Sequence, residues 1–197
     1  TNKEIKNLTK VLNNADPLTQ GLYLQKFEKK FESYIKTNGQ AFGVTSGASA
    51  IELVAALLNL KKDDEVLIPA HTYCASALPF CRYRAKVKWL DINLEDFTID
   101  INHLIKSITK KTKAIMAVHL YGKPCDIITI KKICLEKKII LIEDCAQALG
   151  AKIGNKKVGT FGDFSIFSFH AQKAITTLGE GGMLVVNNKK FTNKVNG

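Results

Sequence analysis

The chain has 197 residues, of which 46% are hydrophobic, and this length and composition suit one sizeable globular domain. No apolar run reaches the roughly 18–20 residues that a membrane span requires, and the polar segment 1–4 lacks the apolar core of a signal peptide. The formal net charge is +11, but the basic residues are spread along the chain, which argues against a nucleic-acid binder. It favours a Lys-rich solvated surface, or a basic cleft for an anionic small substrate. The five cysteines form no C-x-x-C pair, so we expect reduced thiols in a cytoplasmic protein.

Two amphipathic helices are predicted at the start of the chain, from apolar residues at helical spacing. The first carries Ile5, Leu8, Val11 and Leu12 and is closed by Asp16-Pro17. The second carries Leu24, Phe27, Phe31 and Ile35 and ends near Asn38-Gly39.

From residue 41 onward, strands and helices alternate. The predicted strands are Ala41–Thr45, Glu65–Ile68, Lys86–Leu90, Ala114–His119, Ile139–Glu143, Phe164–Phe169 and Met183–Asn187. The predicted helices are Ser49–Leu60, Tyr73–Tyr83, Ile127–Glu136 and one that begins at Lys189. This alternation predicts an α/β fold with a largely parallel sheet and helices on both faces, in which ligands bind beyond the carboxyl ends of the strands. Because no cap closes the last helix, we expect the chain to stop inside a longer protein.

The apolar strand at 139–142 runs directly into two carboxylates, Glu143 and Asp144. Asp144 therefore lies at the carboxyl end of a strand, where functional groups of such sheets collect. The structural alternative is a helix N-cap, since Asp is among the best caps and a helix over Cys145–Leu149 could follow. This stretch alone leaves both interpretations open.

Two further strand ends carry candidate ligand-binding groups. The turn 44–50 has the sequence VTSGASA, whose small residues would let backbone N–H groups at a helix N-terminus approach a phosphate. A simple tight turn explains it equally well. Tyr73 follows the strand at 65–68 and could cover a flat ligand, although such an aromatic residue more often belongs to the core.

Lys173 lies between the last two predicted strands, on a segment that ends in Gly-Glu-Gly-Gly at 179–182. Taken alone, that pattern indicates a tight bend with a solvated lysine. Taken with the other three features, it matches the needs of pyridoxal 5′-phosphate (PLP). Its phosphate needs N–H donors, its ring a flat cover, its pyridine nitrogen an anionic partner, and its aldehyde a lysine for a Schiff base.

These motifs resemble those of the DegT/DnrJ/EryC1/StrS family, PLP-dependent sugar aminotransferases of fold type I. In chain order they are Leu18-Thr19-Gln20-Gly21, Phe27-Glu28, Ser46-Gly47-Ala48-Ser49-Ala50, Asp64-Glu65-Val66, Ile68-Pro69-Ala70, Thr72-Tyr73, Val118-His119-Leu120-Tyr121-Gly122, Glu143-Asp144-Cys145-Ala146-Gln147-Ala148, Phe167-Ser168-Phe169-His170 with Lys173, and Gly179-Glu180-Gly181-Gly182. The resemblance covers nearly the whole chain. It implies that residues 1–197 form an N-terminal segment and most of the PLP-binding large domain, without the smaller C-terminal domain.

The resemblance also implies a role for each site residue, with no metal. Lys173 would bind the cofactor aldehyde covalently, and Asp144 would face the pyridine nitrogen. The other implied cofactor contacts are Gln147 to the ring hydroxyl, Tyr73 stacked on the ring, and the Gly47 and Ala48 amides with the Ser168 hydroxyl on the phosphate. The glycines at 179–182 would let the backbone crowd the cofactor.

The implied activity is transfer of an amino group from an amino acid, usually glutamate, to a keto group of a nucleotide-linked sugar, by a cytoplasmic homodimer that serves polysaccharide biosynthesis. Sugar dehydratases of the same family carry His in place of the lysine, so Lys173 argues against that branch, although His170 lies nearby. A non-catalytic regulatory protein on the same fold is the other alternative. The chain departs from the family pattern at Ala48, where Thr is common and Ser49 could substitute. It also has one extra residue between Lys173 and the glycine turn.

Overall fold

The computed structural model describes residues 1–14 and 20–195. The helices are α1 (Asn2–Asn14), α2 (Leu22–Ile35), α3 (Gly47–Leu57), α4 (Leu78–Arg82), α5 (Ile101–Ser107), α6 (Ile127–Lys137) and α7 (Lys189–Val195). The strands are β1 (Gln40–Val44), β2 (Glu65–Pro69), β3 (Lys86–Leu90), β4 (Thr112–Val118), β5 (Ile140–Asp144), β6 (Lys152–Ile153), β7 (Lys156–Lys157), β8 (Phe164–Ser168) and β9 (Gly182–Val186). Short 3₁₀ turns lie at Cys74–Ser76 and Leu120–Gly122.

Seven strands form one sheet in the order β1-β9-β8-β5-β4-β2-β3. The pairs β2–β3, β2–β4, β4–β5 and β5–β8 are parallel, whereas β9 runs antiparallel to both of its neighbours. The prediction of an α/β fold with a largely parallel sheet is therefore confirmed. The remaining two strands, β6 and β7, form a separate antiparallel hairpin.

Helices cover both faces of this sheet, as predicted. Successive strand residues point to opposite faces, so Val66 and Ile68 pack with α3 and α4, whereas Leu67 packs with α5 and α6. The second face continues beside β8 and β9, where Phe31 and Ile35 of α2 pack on Phe167. The strand ends are consequently held by a core on either side.

The predicted helix Tyr73–Tyr83 is wrong as a continuous element. The structure has a 3₁₀ turn at Cys74–Ser76 and then the short helix α4 at Leu78–Arg82. Pro79 lies in the first turn of α4 and has no backbone N–H, so no i→i−4 bond can join it to the preceding turn. Tyr73 lies beyond the end of β2 and precedes the 3₁₀ turn in extended conformation.

Two elements were not predicted from the sequence. The first is α5, whose N-cap Asp100 accepts hydrogen bonds from the N–H groups of Asn102 and His103 at 2.7 and 3.0 Å. The second is the hairpin of β6 and β7, which pairs only two residues on each side. Such short elements give little periodic signal, although an Asp directly before an apolar residue is a recognised helix start.

Helix α1 forms at the predicted apolar residues, but it buries none of its side chains against the described part of the chain. Its predicted end at Asp16-Pro17 lies outside the described residues, as do Leu18 and Thr19 of the first family motif. None of the described helices is both long and apolar enough to span a bilayer. The five cysteines form no disulfide among the described residues.

Candidate active site

A cavity of about 880 Å³ opens where the carboxyl ends of β4, β5 and β8 meet the N-terminus of α3. This is the sheet edge at which the sequence predicts ligand binding. All seven residues proposed from the sequence line this cavity: Gly47, Ala48, Tyr73, Asp144, Gln147, Ser168 and Lys173. The structure therefore brings the predicted site residues together, although they lie as much as 126 positions apart in the chain (173 − 47).

The N-terminus of α3 offers free backbone donors to the cavity. Ser46 caps the helix, because its Oγ accepts the Ser49 N–H at 3.0 Å. In the described part of the chain, the N–H groups of Gly47 and Ala48 have no hydrogen-bond acceptor, as expected for the first turn of a helix. These two donors and the helix dipole favour an anion here.

The side chain that could replace the missing Thr hydroxyl at position 48 is already engaged within the turn. Ser49 Oγ lies 2.7 Å from Thr45 Oγ1 and 2.9 Å from Ser46 Oγ. These bonds hold the turn together, so the Ser49 side chain stabilises the start of α3.

Two glycines let the backbone of this turn lie close to β8 and β9. A Cβ on Gly47 would come 3.1 Å from Ser168 Cβ, which places the Ser168 hydroxyl beside the helix N-terminus. A Cβ on Gly182 would come 2.7 Å from the Gly47 nitrogen and collide with the Ser46 carbonyl group. Gly182 therefore makes room for the backbone of the α3 turn, a role that the sequence analysis did not assign to it.

Asp144 ends β5 with its carboxylate bound from two sides and only 8% of the residue exposed. Ser76 Oγ donates to Oδ2 at 3.0 Å, and the Ala146 N–H donates to Oδ1 at 3.0 Å. Residues 145–150 form turns and not a helix, so the alternative of an N-cap for Cys145–Leu149 is wrong. Asp144 remains available to a ligand in the cavity.

Lys173 lies on the irregular segment between β8 and β9 and is half-buried. Backbone hydrogen bonds close the base of this segment, from the Phe169 N–H to the Gly181 carbonyl and from the Ala171 N–H to the Gly179 carbonyl, both at 2.8 Å. The Lys173 N–H itself donates to the His170 carbonyl at 2.9 Å. The lysine is thus held on a defined bend at the cavity wall.

Tyr73 and Gln147 face the cavity from different elements. Tyr73 is 73% exposed, so the alternative that it belongs to the core is wrong. Gln147 Oε1 accepts the Tyr121 N–H at 2.8 Å, which fixes the amide orientation, since a backbone N–H can pair only with the oxygen. The two Nε2 protons of Gln147 are consequently the ones offered to a ligand. Tyr121 adopts a left-handed conformation, with φ 53° and ψ 23°, to make this bond.

Sequence reasoning gave no role to His119 and Glu143, both of which are fully buried. His119 lines the cavity, and its Nε2 lies 3.1 Å from Glu143 Oε2. Glu143 also accepts the N–H groups of Gly159, Phe161 and Gly162 at 2.8, 2.7 and 2.6 Å. The sequence feature that could have identified Glu143 is the alternation of side chains along β5, which turns Glu143 to the face opposite Asp144.

Burial alone would raise the pKa of Glu143, but the hydrogen bonds from His119 and from the Gly162 and Gly159 N–H groups outweigh it, so this pKa lies below its usual value. The ligand atoms of His119, Glu143 and Cys145 lie within 4.8 Å of one another, a spacing that a metal ion could use. Burial and the nearby carboxylates raise the pKa of the Cys145 thiol well above its usual value, which disfavours the thiolate that a metal requires. The hydrogen bonds of Glu143 account for this cluster without an ion.

The fold, an α/β fold with a mostly parallel seven-stranded sheet, is that of the fold type I PLP-dependent transferases. The sequence model of the DegT/DnrJ/EryC1/StrS aminotransferase family matches residues 1–196. The chain belongs to this family, which confirms the resemblance seen in its motifs.

GDP-perosamine synthases are among the curated relatives. The enzyme of Escherichia coli O157:H7 is 41% identical over 189 residues, which cover 96% of this chain and 51% of the relative. The enzyme of Vibrio cholerae is 39% identical over 191 residues, which cover 97% of this chain and 52% of the relative. The chain therefore spans about half the length of the curated relatives it matches.

Solved structures of similar proteins agree with this fold. PseC of Helicobacter pylori, an aminotransferase involved in pseudoaminic acid biosynthesis, superposes with a TM-score of 0.89 at 31% identity, over 97% of this chain and 51% of PseC. The GDP-4-keto-6-deoxy-D-mannose-3-dehydratase of E. coli with bound hydrated PLP has a TM-score of 0.90 at 34% identity, over 98% of this chain and 50% of the dehydratase.

Proposed function

We propose that the protein is a PLP-dependent aminotransferase that moves an amino group from an amino acid, glutamate, to a keto group of a nucleotide-linked sugar. The observation that carries this proposal is that Lys173 and Asp144 line one cavity with the N-terminus of α3. The GDP-perosamine synthases and PseC among the similar proteins support a sugar substrate, and the two synthases support a nucleotide carrier.

The lining of the cavity fits PLP group by group. The Gly47 and Ala48 N–H groups and the Ser168 hydroxyl suit a phosphate, and Gly47 keeps this cradle open because a Cβ there would press on Ser168. Gln147 offers N–H donors, which suit the phenolic oxygen of the ring. Asp144 offers a carboxylate, which suits a protonated ring nitrogen. When bound, PLP supplies a ring that withdraws electrons from the substrate carbon next to the amino group.

The residues of the chain supply the proton transfer and the charge balance. Lys173 would hold PLP through its Nζ, by condensation with the cofactor aldehyde and release of water, and the same amine, when free, would move a proton at the substrate carbon. The Asp144 carboxylate keeps the ring nitrogen protonated through a charge-assisted hydrogen bond. Tyr73 would stack on one face of the ring.

The assembly and the cellular role belong to the same proposal. The enzyme works as a homodimer in the cytoplasm, a compartment that suits five unpaired cysteines, and it supplies amino sugars for cell-surface polysaccharides. The net charge of +11 favours encounter with a substrate that carries a diphosphate.

Incubation of the full-length protein with PLP, glutamate and a panel of keto sugar nucleotides tests the proposal, with products read by mass spectrometry. We expect the mass of an amino sugar nucleotide. Reduction with borohydride should fix PLP on Lys173, and Lys173→Ala should abolish the labelling, whereas the exposed control Lys62→Ala should keep it. Labelling that persists at another lysine in Lys173→Ala would show that Lys173 is not the residue that bonds PLP.

A sugar dehydratase is the second candidate, because His170 lines the same cavity and lies 3.4 Å from Glu180. A relative named as a dehydratase, that of E. coli O55:H7, matches at 35% identity. The same incubation separates the two reactions, since a dehydratase returns a sugar that has lost a hydroxyl and gained no nitrogen. A regulatory protein would give neither product.

A further inference from the structure

Three side chains form a continuous hydrogen-bond chain that ends on Asp144. Ser76 Oγ donates to Asp144 Oδ2 at 3.0 Å, and Thr72 Oγ1 lies 2.8 Å from Ser76 Oγ. A serine hydroxyl carries one proton, and Ser76 gives it to the carboxylate. The bond between the two hydroxyls must therefore run from Thr72 to Ser76, so the chain has a single direction.

This hydrogen-bond chain and a second donor, the Ala146 N–H, together fix the plane of the Asp144 carboxylate. Oδ1 accepts the Ala146 N–H at 3.0 Å, so each carboxylate oxygen has one donor, and rotation of the group would break both bonds. Ser76 is 1% exposed and Asp144 is 8% exposed, so water competes little for these bonds.

The backbone that carries the two hydroxyls is itself held in place. The Ser76 N–H donates to the Tyr73 carbonyl at 2.9 Å, which closes the 3₁₀ turn after β2. Thr72, Tyr73 and Ser76 therefore belong to one short segment, and all three line the cavity. The segment that presents the aromatic ring also orients the carboxylate.

We infer that Thr72 and Ser76 are positioning residues that hold the Asp144 carboxylate in the orientation a protonated cofactor ring nitrogen requires. This inference rests on the proposed function, because it assigns the carboxylate to PLP. Each oxygen of Asp144 keeps a second lone pair free for that contact. The other titratable side chains that line the cavity belong to Tyr73, His119, His170, Lys173 and Glu180, and Glu143 faces the opposite side of β5.

The test compares three single variants and one double variant of the full-length protein by titration with PLP. Ser76→Ala removes the donor to Asp144. Thr72→Val removes the first hydroxyl of the hydrogen-bond chain but keeps the branched shape. Thr72→Ser is the matched control, because it keeps the hydroxyl and removes only the methyl group. Unfolding in urea is measured alongside, and the visible spectrum of the bound cofactor is recorded at each step.

We expect Ser76→Ala to bind PLP roughly tenfold more weakly, which is the effect of one lost hydrogen bond, with a changed visible spectrum. Thr72→Val should show a smaller loss and Thr72→Ser near-normal binding. Because Thr72 acts through Ser76, the double variant Thr72→Val/Ser76→Ala should bind within about twofold of Ser76→Ala alone.

Each other outcome contradicts a different statement. If Ser76→Ala is less stable but binds PLP with unchanged affinity and spectrum, the two hydroxyls have a structural role only and the inference is wrong. If Thr72→Val weakens PLP binding equally in the wild-type protein and in Ser76→Ala, Thr72 contacts the cofactor directly and the proposed hydrogen-bond chain from Thr72 to Asp144 is wrong. A wild-type protein that does not bind PLP overturns the proposed function and, with it, this role.

Discussion

His119 Nε2 lies 3.1 Å from Glu143 Oε2, and neither side chain has any exposure to solvent. His119 Nδ1 accepts the Cys125 N–H at 3.2 Å, so this nitrogen is unprotonated and the proton is on Nε2. The imidazole is therefore neutral and donates to the carboxylate. Glu143 is consequently an ionised buried group that accepts hydrogen bonds from His119 and from the backbone.

Glu143→Gln should destabilise the protein by about 3 kcal/mol. The amide NH₂ must replace one carboxylate oxygen, and both oxygens of Glu143 already accept backbone N–H groups, so a donor will face a donor at Gly159 or at Phe161 and Gly162. Urea unfolding at neutral pH measures the change in the free energy of unfolding. Glu136→Gln is the matched control, since Glu136 is exposed on α6, and it should have little effect.

The unfolding free energies of the wild-type protein and of Glu143→Gln should depend differently on pH. The pKa of Glu143 is lower in the folded state than the ordinary glutamate value of 4.5, so its ionisation stabilises the fold. This stabilisation is fully present above the ordinary value and is lost as the pH falls through the lower folded pKa. The difference in unfolding free energy between wild type and Glu143→Gln should therefore shrink on acidification. A difference that stays constant down to pH 3 would contradict an ionised Glu143.

Gly182→Ala should damage the turn at the start of α3. The added Cβ would come 2.7 Å from the Gly47 nitrogen and collide with the Ser46 carbonyl, and these are backbone atoms that cannot move aside cheaply. We expect a loss of about 1–3 kcal/mol in unfolding free energy and weaker binding of PLP, because the same turn offers the Gly47 and Ala48 donors. Gly179→Ala is the control, since a Cβ there has no neighbour within 4 Å. Equal tolerance of both substitutions would contradict this packing.

Much of the fold was predictable because its elements are local patterns. Apolar runs bounded by turn residues located the seven sheet strands within one or two residues, and β3 was predicted at Lys86–Leu90 without error. The helix across 73–83 failed because a single Pro79 outweighed the apolar spacing. The start of α4 depends on the missing backbone N–H of Pro79, and the spacing of apolar residues carries no information about that group.

The candidate site was predictable wherever a residue stands at the end of a strand, as Asp144 does. The buried hydrogen bonds behind it were not. Ser76 contacts Asp144 across 68 positions, and Glu143 takes donors from a loop 16–19 positions away. Such partners are chosen by the packing of the sheet, so no short motif contains them. Gly182 is a similar case, since the group that requires a glycine there is the backbone of Ser46 and Gly47.

Gln147→Glu should weaken PLP binding with little effect on folding. A glutamate can still accept the Tyr121 N–H through one oxygen, but it replaces the two Nε2 donors with an anionic acceptor facing the phenolic oxygen. Loss of the hydrogen bond and the added repulsion together predict a fall in affinity of about tenfold or more. Titration followed by visible absorbance measures it, and the exposed Gln25→Glu serves as the charge-matched control. Unchanged affinity would mean that Gln147 does not face the ring oxygen.

Asp144→Ala should separate cofactor binding from turnover. The variant keeps the phosphate donors on α3 and keeps Lys173, so we expect it to retain some PLP. It loses the carboxylate that keeps the ring nitrogen protonated, so the rate of transamination should fall by about a hundredfold or more. Single-turnover formation of the aminated cofactor from glutamate, monitored by absorbance, measures this step apart from the sugar half-reaction. Near-normal transamination would exclude Asp144 as the partner of the ring nitrogen, and Ser76 and Thr72 would then have no carboxylate to orient.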